Sequence, residues 1–188
     1  MKRSTTNPRI SRLLALFLVA LVAVAASGCG QEEKQLEAKE GGRIELDNLY
    51  YQVQLSRQLN PKDVEDSYYV LDQPTPAKGE VYFGVFMRVD NEENPTRVLP
   101  VGLDKMKIRN AGGAEYEPIE VKGAGWAYAP APLGKGAVLP IPDTPAFVGP
   151  IRGGLILFRI PLTDLDNRPL HLEIEGADGD VGEILIDV

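Results

Sequence analysis

Cys29 is the residue whose chemistry the sequence indicates most directly, because it is the only cysteine among 188 residues. An apolar run at 13–26 ends in small residues, Ala26-Ser27-Gly28, directly before the cysteine. The basic residues that precede the run are Lys2, Arg3, Arg9 and Arg12. This order is typical of a secretory signal peptide, which we expect at 1–28. Cleavage before Cys29 would place its thiol at the new N-terminus, as a site for attachment of a lipid.

The segment Ala26-Ser27-Gly28-Cys29 resembles the lipobox of bacterial lipoproteins, with Ala26 where those proteins usually carry leucine. The resemblance implies a lipid anchor in the cell membrane, with the protein on the extracytoplasmic side. A soluble secreted product, cut after Ala25 or Gly28, is the alternative, and it would leave an unpaired thiol in an oxidising compartment. A retained transmembrane helix is a weaker alternative, because a span needs about 20 apolar residues and the run has 14.

Other residues that could act as nucleophiles, bases or transition-metal ligands are scarce. His171 is the only histidine, and the alternation Leu170-His171-Leu172 predicts an outward-facing strand position. A serine hydrolase needs a histidine base, and zinc or copper sites need several His or Cys ligands. Met87 and Met106 are soft ligands, but their setting favours core positions. We therefore expect no catalytic residue, no cofactor and no metal site.

Carboxylates gather in three loop clusters that could offer oxygen ligands to calcium outside the cell. The clusters are Asp164 with Asp166, Asp178 with Asp180, and Asp63 with Glu65 and Asp66. None has the spacing of an EF-hand loop, and Asp-Gly and Asp-Asn pairs are common in turns. Calcium binding and hydrolysis by two carboxylates stay as alternatives to plain turn formation.

The charge balance bears on the partners of the chain. Four of its 20 Lys and Arg residues lie in the predicted signal peptide, which leaves 16 against 27 Asp and Glu, or a net charge of −11. An acidic surface is repelled by nucleic acid, so no nucleic-acid partner is expected. The membrane would be contacted through the lipid anchor, and an extracytoplasmic protein is a possible further partner.

Two segments follow the predicted signal peptide. Residues 29–42 are rich in charge and end in a glycine pair, which predicts a flexible tether behind the lipidated cysteine. Residues 43–188 are long enough for one domain with its own core.

The domain shows period-two alternation, which predicts strands. At 81–89, Val81, Phe83, Val85, Met87 and Val89 share one face, so this strand should lie near the middle of a sheet. At 49–59, the pattern places Tyr51, Val53 and Leu55 together on one face. Further strands are expected at 155–160, 170–174 and 183–188, and the glycines at 112–113 predict a hairpin between 105–109 and 115–117. These elements predict a meander that forms an all-β sandwich of about seven to nine strands.

A proline-rich segment at 123–150 interrupts the strand pattern. Its prolines prevent regular pairing, so a long stiff loop is expected there, and such loops are often functional. Trp126, the only tryptophan, and Tyr128 lie in this loop and form a candidate interaction surface. The alternative is that both rings fold inward and cap one end of the sandwich.

The order of these pieces is also familiar. A strong strand in GEVYFGVFMRVDNEEN, a hairpin in LDKMKIRNAGGAEYEPI and a strand in GGLILFRIP follow the leader. This order resembles the immunoglobulin-like domains of unknown function in Gram-positive and actinobacterial lipoproteins and secreted proteins, similar in fold to a small immunoprotective extracellular antigen of mycobacteria. The resemblance implies an immunoglobulin-like fold and a surface location, and it carries over no catalytic residues. We expect a non-catalytic interaction or accessory module, with a small-ligand or ion carrier as the alternative and a hydrolase third.

Overall fold

The computed structural model describes residues 35–121 and 125–186, in which ten strands form two sheets. The first sheet has the order β1-β10-β9-β5-β6, where the strands are β1 (Glu37–Lys39), β5 (Met106–Asn110), β6 (Glu115–Tyr116), β9 (Leu170–Glu175) and β10 (Val181–Ile186). The second sheet contains β2 (Arg43–Leu46), β3 (Leu49–Leu59), β4 (Glu80–Asp90), β7 (Val138–Leu139) and β8 (Gly154–Pro161). Three four-residue helices lie between strands: α1 (Val64–Ser67), α2 (Pro145–Val148) and α3 (Leu162–Leu165).

The main core lies between the two sheets. From β4, the side chains of Phe83, Val85, Met87 and Val89 point inward and are fully buried. The residues that meet them from the first sheet include Met106, Ile108, Leu172, Ile174 and Ile184. Each such side chain contributes about 1.5–3 kcal/mol relative to an exposed position. The protein is therefore an all-β, immunoglobulin-like sandwich, and both methionines are core residues as expected.

The strand order differs from a meander. Strand β4 pairs with β3 on one side, and with β8 and then β7 on the other, whereas β5 joins β9 in the opposite sheet. Strand β4 lies in the middle of its sheet, as its alternation predicted. The chain therefore crosses between the two sheets, whose apolar faces cover each other.

The sandwich begins earlier in the chain than Arg43. Strand β1 pairs in parallel with β10, and the amide of Glu183 donates to the carbonyl of Leu36 at 2.7 Å. Leu36 and Ala38 also pack against the main core. The prediction of a tether over the whole of 29–42 is therefore wrong for its last residues. Their backbone pairs with the edge of β10, and their few apolar side chains pack against the core.

A β-bulge in β3 changes which side chains face outward. Val53 lies opposite Met87 and Leu55 lies opposite Phe86, so Gln54 is an extra residue on β3. Before the bulge, Tyr51 and Val53 face the main core, whereas Leu55 after it faces the outer side. The expectation that these three residues share one face is therefore wrong, since one inserted residue reverses the alternation.

The face of β4 that points away from the main core is also buried, although antiparallel sheets commonly leave one face to solvent. Tyr82 and Phe86 of β4 form a second apolar cluster with Leu155 and Leu157 of β8. Tyr69 and Val70, which follow α1, cover this cluster from above. The loops on this side are thus packed layers over the sheet, and they shape the site described below.

The outer face of the first sheet carries a ladder of ion pairs. Its pairs are Lys105–Glu175, Lys107–Glu115, Lys107–Glu173, Arg109–Glu173 and Arg109–Glu183. His171 lies on this outward face, half-buried beside the Glu183 carboxylate. Each pair of opposite charges on neighbouring strands stabilises the fold by a fraction of a kcal/mol. Together the pairs favour the observed register of these strands, whose outer face makes little apolar contact.

We expect the substitution Glu173→Gln to destabilise the protein at neutral pH and to have little effect in acid. Burial raises the pKa of Glu173, but the hydrogen bond and charge of Arg109 and the neighbouring Lys107 outweigh it and leave the pKa below its ordinary value of 4.5. A lowered folded-state pKa stabilises the protein above the unfolded-state value, and this contribution is lost as the pH falls through the folded-state pKa. Glu173→Gln should therefore lower the free energy of unfolding by about 1 kcal/mol or less at pH 7, with the difference shrinking below pH 4.

Urea unfolding of both proteins between pH 7 and pH 3 measures this effect. Glu115→Gln is the matched control, because the Glu115 side chain is half exposed at the end of the same ladder and should matter less. A difference between wild type and Glu173→Gln that stays constant across this pH range would contradict the expectation.

Candidate functional site

An open apolar groove lies on the outer side of the second sheet. Its volume is about 540 Å³. One wall is formed by α1 and the two tyrosines that follow it, and the opposite wall by the proline-rich loop. The lining residues are Leu55, Arg57, Val64, Glu65, Tyr68, Tyr69, Trp126, Pro150 and Ile151. We call this feature the aromatic groove.

The floor of the aromatic groove depends on the bulge in β3. Because Gln54 is inserted, Leu55 and Arg57 point to the outer side, where they meet the wall formed by α1. A guanidinium nitrogen of Arg57 donates to the carboxylate of Asp66, which also accepts from the amide of Asn60 at 2.9 Å. Asp66 is 5% exposed, so this pair fixes the position of α1 over the end of β3.

Asp63 sets the start of α1. Its carboxylate accepts from the amides of Glu65 at 2.9 Å and Asp66 at 3.3 Å, which is the usual role of an aspartate at a helix N-cap. The predicted carboxylate cluster at 63–66 is therefore a cap and an ion pair. Both the cap and the ion pair stabilise the local fold.

The second wall is held against β8 by backbone hydrogen bonds. The amide of Leu155 donates to the carbonyl of Trp126 at 2.6 Å, and the amide of Tyr128 donates to the carbonyl of Leu155 at 2.9 Å. The Trp126 ring meets the Tyr69 ring edge-on at 5.6 Å, and Tyr69 in turn meets Phe86 at 5.0 Å. Two contacts among three aromatic rings therefore link the sheet to both walls.

Tyr128 lies away from the groove, which corrects its assignment to an exposed interaction surface. It is 3% exposed, and its hydroxyl donates to the carbonyl of Val101 at 2.9 Å. The amide of Val101 donates to the hydroxyl of Tyr51 at 2.9 Å, so two buried tyrosines hold one peptide segment. Burial raises the pKa of Tyr51 to about 12 and raises the pKa of Tyr128 further. Trp126 is half-buried and lines the groove, so only this ring of the predicted pair reaches it.

Tyr128→Phe should lower the free energy of unfolding by about 1–2 kcal/mol, because the Val101 carbonyl would lose its partner in a dry interior. Thermal and urea unfolding of the variant measure the loss. Tyr68→Phe is the matched control, since the Tyr68 side chain is exposed and its hydroxyl can be replaced by water. Equal stabilities of the two variants would contradict a structural role for the Tyr128 hydroxyl.

Charged groups occupy one end of the aromatic groove. Nε of Arg57 is buried and has no hydrogen-bond partner within residues 35–121 and 125–186, although another nitrogen of the same guanidinium pairs with Asp66. Glu65 is exposed on the α1 wall. Burial, with a smaller contribution from the nearby carboxylates, raises the pKa of Tyr69. The groove therefore combines an apolar surface with one guanidinium and one carboxylate among its lining residues.

The remaining carboxylates do not converge. Asp164 accepts a hydrogen bond from the hydroxyl of Tyr116, and this contact and burial raise the pKa of Tyr116 to about 12. Asp178 and Asp180 lie in the turn between β9 and β10. Across the described part of the chain, no group of three His, Cys, Asp or Glu side chains is placed to hold a metal ion.

Sequence reasoning predicted Trp126 as a site residue but missed the rest of the groove. Leu55 was assigned to the wrong face by an alternation that the bulge reverses, and Tyr68 and Tyr69 lie in a segment without a clear period. The signal that could have drawn attention to them is the run Val64 to Leu71, which places several apolar side chains between charged residues in a loop.

Among the described residues, no helix is long and apolar enough to cross a bilayer.

No protein-family model and no curated protein matches the sequence. Solved structures with a similar fold include the YjhA protein of Bacillus subtilis, with a TM-score of 0.53 and 10% identity, aligned over 80% of this chain and 99% of that one. A lipoprotein candidate of the same organism, YcdA, has a TM-score of 0.50 and 8% identity, over 79% of this chain and 39% of that one. The secreted protein MPT63 of Mycobacterium tuberculosis aligns over 84% of this chain and all of its own length, with 10% identity and a TM-score of 0.49.

The similarity to YjhA and YcdA shows a shared fold at very low sequence identity. This chain spans only 39% of the length of YcdA, so that protein contains much that has no counterpart here. The fold neighbours therefore agree with the sandwich architecture, and the aromatic groove has to be interpreted from its own residues.

Proposed function

We propose that the chain is a non-catalytic binding module, anchored through Cys29 on the extracytoplasmic side of the membrane, that holds an extended segment of a partner protein in the aromatic groove. The observation that carries this proposal is the exposure of apolar side chains on the groove walls. Val64 is 78% exposed and Tyr68 is 60% exposed, beside the half-buried Trp126. Exposed apolar clusters of this kind mark interaction sites on soluble domains.

The shape and chemistry of the groove favour a polypeptide segment. Grooves lined by Trp, Tyr and Pro accept extended, proline-containing segments, whose side chains fit between the rings. The guanidinium of Arg57, which lines the groove, can donate to a backbone carbonyl of such a segment. Glu65 in the lining, in a domain of strong net negative charge, favours basic residues flanking the bound segment.

The location rests on the sequence before the sandwich. The signal-like leader and the single cysteine after small residues support attachment of a lipid to Cys29. YcdA, one of the fold neighbours, is itself a lipoprotein candidate, which is in keeping with this proposal. An acidic module at the outer surface would stay in solution next to the bilayer and remain free to bind proteins.

Substitution of Tyr68 by alanine should abolish most partner binding while leaving the fold intact. Tyr68 is exposed and lines the groove, so its removal mainly deletes groove surface. Central aromatic residues at interfaces commonly contribute about 2 kcal/mol or more, which corresponds to a loss of roughly 30-fold in affinity. Crosslinking in intact membranes, followed by purification and mass spectrometry, compares partner recovery between wild type and variant.

Leu99→Ala is the matched control, because Leu99 is an equally exposed apolar residue, at 60%, outside the groove. The proposal requires a partner that is recovered with wild type and Leu99→Ala and lost with Tyr68→Ala. Equal recovery in all three would show that the groove is not the contact. Cys29→Ala tests the anchor separately, since this variant should leave the membrane fraction.

A small apolar ligand is the second candidate, because the volume of the groove falls within the range of small-molecule sites. The sole tryptophan lies in the groove, so its fluorescence reports on occupancy. A hydrophobic probe such as N-phenylnaphthylamine that binds with micromolar affinity, together with no recovered protein partner, would favour the carrier function over the binding module.

A further inference from the structure

An exposed, proline-containing segment follows the α1 wall of the aromatic groove in the chain. Residues 71–78 have the sequence LDQPTPAK, and all of them are exposed except Gln73 and Pro76, which are half-buried. Leu71 is 63% exposed, so the segment presents a large apolar side chain to solvent. We call residues 71–78 the exchange segment.

The exchange segment is held in an extended form. The residues before Pro74 and Pro76 favour extended backbone angles, because a following proline disfavours the helical region. The carbonyl of Pro74 accepts a hydrogen bond from the hydroxyl of Tyr82. The amide of Ala77 donates to the carboxylate of Glu80 at 3.1 Å. A segment that is already ordered loses little conformational entropy when it binds.

The chemistry of the exchange segment matches that of the groove. Aromatic grooves accept extended, proline-containing segments, and the exchange segment has two prolines and the apolar side chain of Leu71. It also carries one charge of each sign, at Asp72 and Lys78. The lining of the groove carries one of each as well, at Arg57 and Glu65, so opposite charges can meet across the contact.

The exchange segment cannot enter the groove of its own chain. Its hydrogen bonds to Tyr82 and Glu80 tie it to the start of β4, and Val70 alone separates it from Tyr69 in the groove wall. Tyr82 belongs to the apolar cluster on the outer side of the second sheet, so the segment lies on the same side as the groove. A two-fold axis would therefore let each of two copies place its segment in the groove of the other.

Two other proline-containing segments fit this arrangement less well. At 129–135, Leu133 is buried in the main core, and its amide and carbonyl are both paired with Val98. At 95–100, Leu99 is exposed, but this segment follows the far end of β4. Its insertion into a groove would join copies head to tail, whereas the exchange segment permits a closed pair.

We infer that the chain self-associates as a two-fold pair in which each copy holds the exchange segment of the other in its aromatic groove. This inference rests on the proposed function, because it names a second copy of the chain as the partner whose extended segment the groove binds. The exposed side chains of Val64, Tyr68 and Leu71 would be covered in both copies, and the removal of this apolar surface from water drives the association.

Photo-crosslinking of the full chain, in the cells that express it, tests the exchange. A benzophenone amino acid is placed at position 71 in one variant and at position 99 in the control, because Leu71 and Leu99 are equally exposed. The variant at position 71 should give a product of twice the chain mass, in which this position is linked to 64–69 or 150–151 of a second copy. The control should give at least tenfold less of this product.

Two alanine variants test whether the exchange is reciprocal. Tyr68→Ala damages the groove and keeps the segment, whereas Leu71→Ala damages the segment and keeps the groove. Each variant alone should form at least tenfold fewer pairs than wild type, because both contacts of the pair are damaged. When the two variants are co-expressed with different tags, mixed pairs should exceed the pairs of either variant alone. In a mixed pair one contact is intact, since both substitutions fall in the other contact.

The outcomes separate this inference from the proposed function. Absence of the double-mass product, together with a different protein that is recovered with wild type and lost with Tyr68→Ala, would overturn the exchange and leave the proposed function standing. Absence of the product without any partner that depends on Tyr68 would overturn both. Pairs linked away from the groove, or mixed pairs no more abundant than those of either variant, would overturn the exchange alone.

Discussion

Replacement of Gly154 by alanine should lower the free energy of unfolding by about 3 kcal/mol and weaken partner binding in the aromatic groove. A Cβ atom at this position would lie 2.9 Å from the Cα atom of Tyr128 and 3.3 Å from its Cβ atom. The nearest atom belongs to the backbone, so no side-chain rotation can make room. The loop that carries Trp126 would have to move away from β8.

Both effects can be measured on the same protein. Far-UV circular dichroism follows unfolding of the sheets, and the fluorescence of Trp126 follows the loop, because the chain has no other tryptophan. Gly134→Ala is the matched control, since its Cβ would meet nothing closer than the Cγ atom of Arg97 at 3.9 Å. A Gly154→Ala protein as stable as Gly134→Ala would contradict the close approach of the two backbones.

The glycine pair at 153–154 illustrates what the sequence did not reveal. The sequence pattern predicts a strand directly after the pair but indicates no role for the glycines themselves. In the structure, a Cβ at Gly153 would lie 2.8 Å from the backbone of Phe86, while Gly154 faces the loop at Tyr128. A glycine that allows two chain segments to touch can be recognised only when both segments are placed.

Strands were the most predictable part of the fold. Residues 81–89 alternate strictly because one face of β4 meets the main core, and the hairpin at 105–117 is signalled by its glycines. Physical rules of this kind act over a few residues. Pairing between distant strands, such as β1 with β10, depends on which edges remain free after the other strands have paired, and local patterns carry little of that information.

The candidate site was predictable only in part, for a related reason. Trp126 was identified because a tryptophan in a proline-rich loop is unusual, but its neighbour Tyr128 turned inward. The inward position of Tyr128 depends on Val101, a backbone segment 27 residues away, which needs a hydrogen-bond donor in the interior. The floor of the groove depends on a single inserted residue, Gln54, and a bulge leaves almost no trace in composition.

Asn91→Ala should also lower the free energy of unfolding by about 3 kcal/mol, because Asn91 is fully buried and three of its side-chain contacts are to backbone groups. Its amide nitrogen donates to the carbonyl of Leu133 at 2.9 Å and to that of Thr96 at 3.4 Å, and its Oδ1 accepts from the amide of Asn94 at 3.0 Å. Alanine would remove all three hydrogen bonds, and the buried carbonyl of Leu133 would keep only the amide of Val98 as a donor. Urea unfolding measures the loss.

Asn94→Ala and Asn91→Asp separate the contributions. Asn94 caps a shorter exposed turn through the amide of Thr96, so its loss should cost less than about 1 kcal/mol. In Asn91→Asp, the acceptor is kept, but an ionised carboxylate would face the carbonyls of Leu133 and Thr96. These carbonyls would raise the folded-state pKa of the new carboxyl above its unfolded-state value, so its protonated form is favoured. Asn91→Asp should therefore approach wild-type stability in acid and lose stability as the pH rises through that raised pKa. A loss of unfolding free energy that is the same at every pH would contradict this expectation. It would show that this position requires the shape of the side chain and not the donated hydrogen bond.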